Sequence, residues 1–362
     1  MQIKLSLEQW QKIQDYATNE LGISSISKAD CDLSEYIPYY DKWIENNYHA
    51  DLGYMTKHGS KRFVPDELVP GTNSVIVTTL NYSNRPISTK NEVKRLRSES
   101  NIADISIYAH GRDYHKVMKK KLQKLGEYIN DIIDTHEFRV FTDSAPVLEK
   151  PLAEKAGLGW MGKNSMLMNK SQGSFFFIGV IYSNLDLSHL PNNPKHLDAC
   201  GKCQACIKLC PTNAITPGKM IDSRRCISYL TIENKGTIAQ EFRDAIGTRI
   251  YGCDDCQLVC PFNNSAPQTK EKDFQLREFL VNRPLLELYS WDSNDFDKNT
   301  QGSAIRRIGY NAWVRNISIA IGNSPYSLNN ILALENKKLE FKDNDLILEH
   351  IDWAVNKQKN SQ

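Results

Sequence analysis

Residues 200–211 read Cys-Gly-Lys-Cys-Gln-Ala-Cys-Ile-Lys-Leu-Cys-Pro, a C-x2-C-x2-C-x3-C-P run. A cubane iron–sulfur cluster takes three thiolates from one tight loop and a fourth from elsewhere, and in two-cluster ferredoxins the cysteine before the proline serves the other cluster. A second, incomplete copy follows as Cys253-x2-Cys256-x3-Cys260-Pro261, with Ile250 where its first cysteine would stand. Cluster one is therefore expected on Cys200, Cys203, Cys206 and Cys260. Cluster two takes Cys210, Cys253 and Cys256 and lacks one ligand; Cys226 is the only other cysteine in the region. Structural zinc sites favour two separated C-x2-C pairs, which this spacing fits poorly. Cys31 stands apart and is expected to be a bystander.

A cubane passes one electron at a time, and two of them in a small fold make a wire. A free ferredoxin is short, yet about 190 residues precede this region, so the wire is expected to end at a site in the same chain. The 362 residues allow two or three domains. With 40% hydrophobic and 24% charged residues the composition is ordinary and globular. A net charge of +2 announces no nucleic-acid binder beyond a local patch. The start, MQIKLSLEQWQKIQDY, has no apolar signal core, and no apolar run reaches the ~18 residues of a membrane span. A cytoplasmic protein is expected, where disulfides are rare, and a monomer, since no feature argues for an interface.

Outward from the cysteines, Ser174–Tyr182 (SFFFIGVIY) and Ser74–Leu80 (SVIVTTL) read as buried strands, and Phe138–Thr142 as a short one. Helical periodicity covers residues 6–21, about 34–50 and 113–134, and Ser144–Gly157 reads as helical if Pro151 falls in a first turn. Residues 83–104 read as a polar loop. The fold expected is α+β: a mixed α/β domain over 1–190, a ferredoxin-like two-cluster domain over 191–265, and a helical domain over 266–362. The last has helices at Leu276–Leu280, Ala304–Ile321 and Asp345–Val355 and no convincing strand.

Three spots in the first domain carry candidate chemistry. Gly157-Leu-Gly159-Trp-Met-Gly162-Lys163-Asn164 matches G-x-G-x-x-G and nearly matches a P-loop, but both motifs need a preceding strand, and LAEKA before it reads as helix. Glycine-rich backbone approaching some other large ligand is the better reading. Asp143, in Thr-Asp-Ser-Ala-Pro at a strand end, is either a helix N-cap or a general acid tuned by burial. In Gly111-Arg-Asp-Tyr-His115, Asp113 is a cap or more, Tyr114 core or more, and His115 a satisfied surface group or more; the residues alone do not choose.

Taken together, Lys61-Arg62 with Pro65 and Pro70-Gly71, GRDYHKVM (111–118), TDSAPVLEKPLAEKAGLGWMGKNSM (142–166), both cysteine runs and Arg225-Cys-Ile-Ser-Tyr-Leu-Thr231 resemble the epoxyqueuosine reductase family, in order and over nearly the whole chain. The family is related to reductive dehalogenases. The resemblance implies reduction of epoxyqueuosine to queuosine at the wobble position of tRNA, the last step of queuosine biosynthesis. It implies cobalamin, held base-off in the N-terminal domain, and two [4Fe-4S] clusters fed by an unidentified one-electron donor. Asp143 becomes the implied proton donor. Arg62, Ser106, Asp143, Lys163, Asn164 and the backbone at Leu167 and Ile178 match positions near the corrinoid; Ser228, Cys253 and Asp254 match positions between corrinoid and cluster two. The D-x-H-x-x-G motif of a lower histidine ligand is absent, since Asp134-Thr-His136-Glu-Phe-Arg139 lacks the glycine.

The C-terminal helices resemble the family's HEAT-like end, shortened to one or two repeats, and Arg306, Arg307 and Arg315 are candidates for tRNA phosphates. Two other readings compete: a cobalamin and iron–sulfur reductase of another organic substrate, and a ferredoxin-type electron carrier.

Overall fold

The computed structural model describes residues 3–361 except 99, 134 and 281. Its centre is a four-stranded antiparallel sheet of β1 (Ser25–Ala29), β2 (Ser74–Asn81), β3 (Phe138–Phe141) and β4 (Phe176–Ser183), in the order β1-β2-β4-β3. Pairs such as Thr79 with Ile178 and Phe141 with Val180 set the register. Side chains alternate across the pleat. Ile26, Ile76 and Ile181 pack on one face with Trp10 and Ile13 of α1 (Leu7–Asp15) and Leu122, Leu125 and Ile129 of α2 (Tyr114–Ile132). Val75, Val77, Val180 and Tyr182 pack on the other with Leu152 and Ala153 of α3 (Glu149–Lys155). Both faces are covered, which is why β2 is buried at every position and β4 at all but one.

Several expectations change. The expected loop 83–104 holds a helix, Thr89–Leu96. Its polar sequence hides it, because its one deeply buried side chain is Glu92, held by Arg85 and Arg95. β1 (SISKA) was too short and polar to be anticipated. The helix expected over 34–50 is regular only at Ile37–Glu45. The one expected over Ser144–Gly157 contracts to α3, which places Pro151 in the first turn, where its missing N–H costs nothing. The end of the helix expected over 113–134 falls on Asp134, outside the described residues; α2 itself ends at Ile132.

Beyond residue 266, Leu276–Leu280 supplies only a 3-10 turn at Glu278–Leu280. The helices that matter are α4 (Gly309–Asn323), α5 (Leu328–Glu340), which was not anticipated, and α6 (Asp345–Asn360). Trp313, Ile317 and Ile321 of α4 pack with Ile351 of α6 and with Ile250 and Tyr251 from the cysteine-rich segment. Arg249–Tyr251 in turn pairs in parallel with Asp104–Ile105. That short ladder fixes the backbone just before Cys253 against the backbone just before Ser106. Among the described residues, no helix is long and apolar enough to cross a membrane.

Candidate active site and cluster ligands

All eight cysteines of the cluster region are free thiols. Burial pushes the Cys206 thiol up, and the charges of Cys200 and Cys203 push further. Cys260 rises to about 11 through burial first, then Cys200, Cys206 and Cys203. Cys256 is raised well above its ordinary value by burial, then by Cys226 and Cys210. Cys226 is raised by burial and by Cys210, against the N–H groups of Tyr229 and Ser228 that point at its sulfur. Cys253 is raised by burial, with Asp255 and Cys256 adding to it. Cys206 and Cys260 feel Cys200 and Cys203, and Cys256 feels Cys226 and Cys210 and also Cys206, so the two sets adjoin. Among the described residues no group of three His, Cys, Asp or Glu converges enough to hold a single ion. A cubane offers its irons at separate corners, so its thiolates need not meet at a point. All-thiol donor sets, half-buried apart from the exposed Cys203, fit such clusters. Cys31 is half-buried behind the sheet and pushed up to about 12 by burial, an inert thiol.

Asp143 follows β3 in a left-handed backbone conformation, φ 48°. It caps no helix: α3 begins six residues later, and the Asp143 N–H donates to Glu149 Oε1 at 2.7 Å. Its carboxylate is 70% exposed, so the protein alone does not bury it. The buried Tyr114 hydroxyl donates to Asp143 Oδ2. Burial, then the Asp143 charge, keeps that phenol protonated far above its usual range. His115 Nε2 lies 3.9 Å from the same oxygen, and its Nδ1 is 2.8 Å from Asp113 Oδ1. Asp113 does cap α2, yet its other oxygen accepts from Arg307 Nη2 at 3.0 Å. Although burial opposes it, hydrogen bonds from His115 and Arg307 hold Asp113 well below the usual carboxylate range. The GRDYH stretch, ambiguous as sequence, thus supports Asp143. Glu149 was missed entirely; burial first, then Asp143, pushes its carboxyl up to about 8.

From Asp143 an aromatic wall runs toward Tyr251, two residues before Cys253. Tyr114 meets Tyr108 edge-on with centroids 5.9 Å apart, and the Tyr108 hydroxyl donates to the Tyr251 hydroxyl at 3.1 Å. Ser106 Oγ donates to Asp254 Oδ1 at 2.5 Å, and the Ile107 N–H to Oδ2 at 2.7 Å. Burial still lifts Asp254 to about 6. Ser106, Cys253 and Asp254 share the wall of a cavity of about 590 Å³. Arg62 is buried, donates to the Tyr54 carbonyl, and leaves its Nε without a partner. Ile178 accepts from Thr142 Oγ1 across β3 and β4, next to Asp143. Lys163 Nζ donates to the Gly201 and Cys203 carbonyls, and Asn164 Nδ2 to the Cys256 carbonyl; both bridge to the cysteine loops. Leu167 is buried beside α3, and Ser228 sits half-buried in the helix that follows Cys226. The Nε of buried Arg62, left without a partner, is a donor that a large polar cofactor would satisfy; the cavity at Cys253 is walled by Arg85, Arg95 and His110 and does not include Asp143.

Two expectations need correction. Arg315 is 1% exposed and touches no solvent that a phosphate would share. It donates to the carbonyls of Asn234 and Gly236 at 2.8 Å and of Leu230 at 2.9 Å. It staples α4 to the Cys226 segment. Arg306 and Arg307 are surface residues, paired with Asp297 and Asp113. The glycines at 159 and 162 sit in a hairpin of Trp160–Met161 with Leu167–Met168. A Cβ on Gly159 would meet the Met168 carbonyl at 2.3 Å, so that glycine admits the chain's own backbone.

Residues 199–263 match the family of 4Fe-4S double cluster binding domains. Residues 62–144 match the family described as epoxyqueuosine reductase QueG, DUF1730. The chain is 78% identical over 359 residues to the epoxyqueuosine reductase of Francisella cf. novicida (strain Fx1), covering 99% of each. Its fold resembles the epoxyqueuosine reductase of Streptococcus thermophilus, TM-score 0.84 at 24% identity, over 98% of this chain and 91% of that one. It equally resembles an epoxyqueuosine reductase solved with a tRNA-Tyr epoxyqueuosine-modified stem loop, TM-score 0.83 at 24% identity, over 97% and 90%.

Proposed function

This chain belongs to the epoxyqueuosine reductase family, and from that premise we propose that it reduces epoxyqueuosine in tRNA to queuosine, with Asp143 as proton donor. The observation that carries the assignment is the Asp143 carboxylate, exposed at a strand end yet gripped by Tyr114 and faced by His115. Cobalamin, when bound, supplies a cobalt centre that takes electrons from the clusters and acts on the epoxide carbon. Arg62, Ser106, Lys163, Asn164, the backbone at Leu167 and Ile178, Ser228 and the Cys253–Asp254 turn would hold it. Residues 1–190 are the catalytic part, 191–265 the wire, and 266–362 the helical support, where the exposed Arg306 would have to leave Asp297, and Arg307 leave Asp113, to meet tRNA phosphates.

Converting an epoxide to an alkene consumes two electrons and two protons and releases water. A carboxylic acid holds one proton, so Asp143 must be reloaded once per turnover. His115 is placed for that. Asp113 accepts from Nδ1, which fixes the imidazole and leaves Nε2 toward Asp143. A proton taken up by His115 passes from Nε2 to the carboxylate once the gap closes; catalytic contacts are often long until substrate binds. Tyr114 donates to the Asp143 carboxylate and so holds its orientation. Seating the substrate over the exposed Asp143 would exclude water from it, and hydrogen bonds there strengthen accordingly.

The test is conversion. Protein reconstituted without oxygen with iron, sulfide and cobalamin is given a strong one-electron reductant and tRNA carrying epoxyqueuosine, and the digested nucleosides are weighed. Loss of one oxygen mass is expected. No loss from protein that holds both cofactors would send the search to another reducible substrate.

A further inference from the structure

The two cysteine groups differ in how they meet solvent. Cys203 is exposed, whereas the other seven of the region are half-buried. Around Cys203 the surface has a consistent character. Between Pro191 and Lys219 the chain carries four lysines (195, 202, 208 and 219) and one acid, Asp198. That acid is engaged: it accepts from the Cys200 N–H at 2.8 Å and pairs with Lys219 at 3.0 Å. Lys195, Lys202 and Lys208 are exposed and no carboxylate balances them among the described ion pairs. Leu197, in the same stretch, is 84% exposed. An exposed apolar side chain and three cations without an ion pair, all within eight residues of the most accessible thiol of the wire, are the make-up of a transient electron-transfer contact. Such interfaces are small, and opposite charge sets their encounter rate.

We propose that this face is where electrons enter, and that it docks a small acidic protein carrying a one-electron redox group. The proposal rests on the reading of Cys200, Cys203, Cys206 and Cys260 as cluster one. Each encounter oxidises the carrier by one electron and reduces cluster one by one; two encounters serve one epoxide. RNA is the other polyanion that a lysine patch attracts. The carrier is favoured because phosphate contact requires neither an exposed sulfur nor an exposed leucine, and an electron relay has use for both.

The experiment mixes reconstituted holoprotein with reduced plant-type [2Fe-2S] ferredoxin in a stopped-flow instrument and follows ferredoxin reoxidation. Methyl viologen radical, a small cation, is the control reductant. The rate with ferredoxin is expected to fall at least about tenfold between about 50 and about 300 mM salt. It is expected to fall about as much at low salt in a Lys195→Glu, Lys202→Glu, Lys208→Glu variant, whose viologen rate and iron content stay unchanged. Should that variant lose iron, wild-type salt dependence and Lys195→Glu, outside the ligand loop, carry the test. A ferredoxin rate indifferent to salt and to Lys195→Glu overturns the proposal. So does a variant that loses affinity for the anticodon stem loop while ferredoxin reduces it normally, which would give the patch to RNA. Viologen-driven conversion of tRNA does not enter this comparison; its failure alone would count against the substrate and leave the docking face standing.

Discussion

The Nε2 of His115 stands 3.9 Å from the Oδ2 of Asp143. At that separation there is no hydrogen bond, but one small closure makes one, and His115 combines a titratable ring with a carboxylate anchor, Asp113, behind it. Replacing Asp143 with Asn keeps shape and removes the transferable proton. Asp143→Asn should retain cobalamin and both clusters and lose roughly 10²–10⁴ in turnover. Iron content and corrinoid absorbance beside the nucleoside assay check this; an active Asp143→Asn protein would remove Asp143 from its role.

His115→Gln keeps a polar side chain and cannot relay a proton. Turnover should drop by roughly 10–100-fold, less than for Asp143→Asn, and external imidazole should restore part of it. Asp113→Asn should give a similar, smaller loss, because the ring loses its orientation but not its chemistry. If imidazole rescues neither variant, His115 is a packing residue.

Glu149 gives a pH signature. Its folded-state carboxyl lies near 8, raised above the ordinary value of 4.5 by burial and by Asp143. Its contribution to stability is therefore fully present below about pH 4.5 and lost as pH rises through about 8. Thermal unfolding of wild type should weaken across that window relative to Glu149→Gln, whose curve is flatter. Parallel curves would show that Glu149 ionises freely.

Cys226→Ala should leave one cubane and about four irons per chain. Eight irons would break the assignment of Cys226 to cluster two.

Arg315→Met leaves the Leu230, Asn234 and Gly236 carbonyls without a donor beside Cys226. A loss of about 3 kcal/mol is expected, read as a lowered melting temperature with stem-loop affinity unchanged. Unchanged stability with weakened RNA binding would return Arg315 to the surface role its sequence suggested.

The double-cluster segment was legible because thiolate spacing is a geometric requirement written directly in the chain. The sheet was legible where both faces are buried, at β2 and β4, and illegible at β1, whose short polar stretch is held by its neighbour's register. The helix at Thr89–Leu96 was hidden because its anchor is an ion-paired glutamate and not an apolar stripe. Arg315 was misplaced because an arginine on a helix reads as surface, and only tertiary contacts reveal the carbonyls that take it inside. The support around Asp143 could not be read from spacing: Tyr114 and His115 lie 29 and 28 residues before it, and only the packing of α2 along β4 carries them there.

The central claim is that electrons held on both cysteine quartets reach an epoxide protonated at Asp143. The most direct measurement is a single turnover: reduced holoprotein, freed of reductant, is mixed with tRNA carrying epoxyqueuosine, and queuosine is counted per chain by mass spectrometry. Wild type should yield about one queuosine per chain, while Cys226→Ala and cobalamin-free protein yield little. A yield unchanged by the loss of Cys226 would contradict the account.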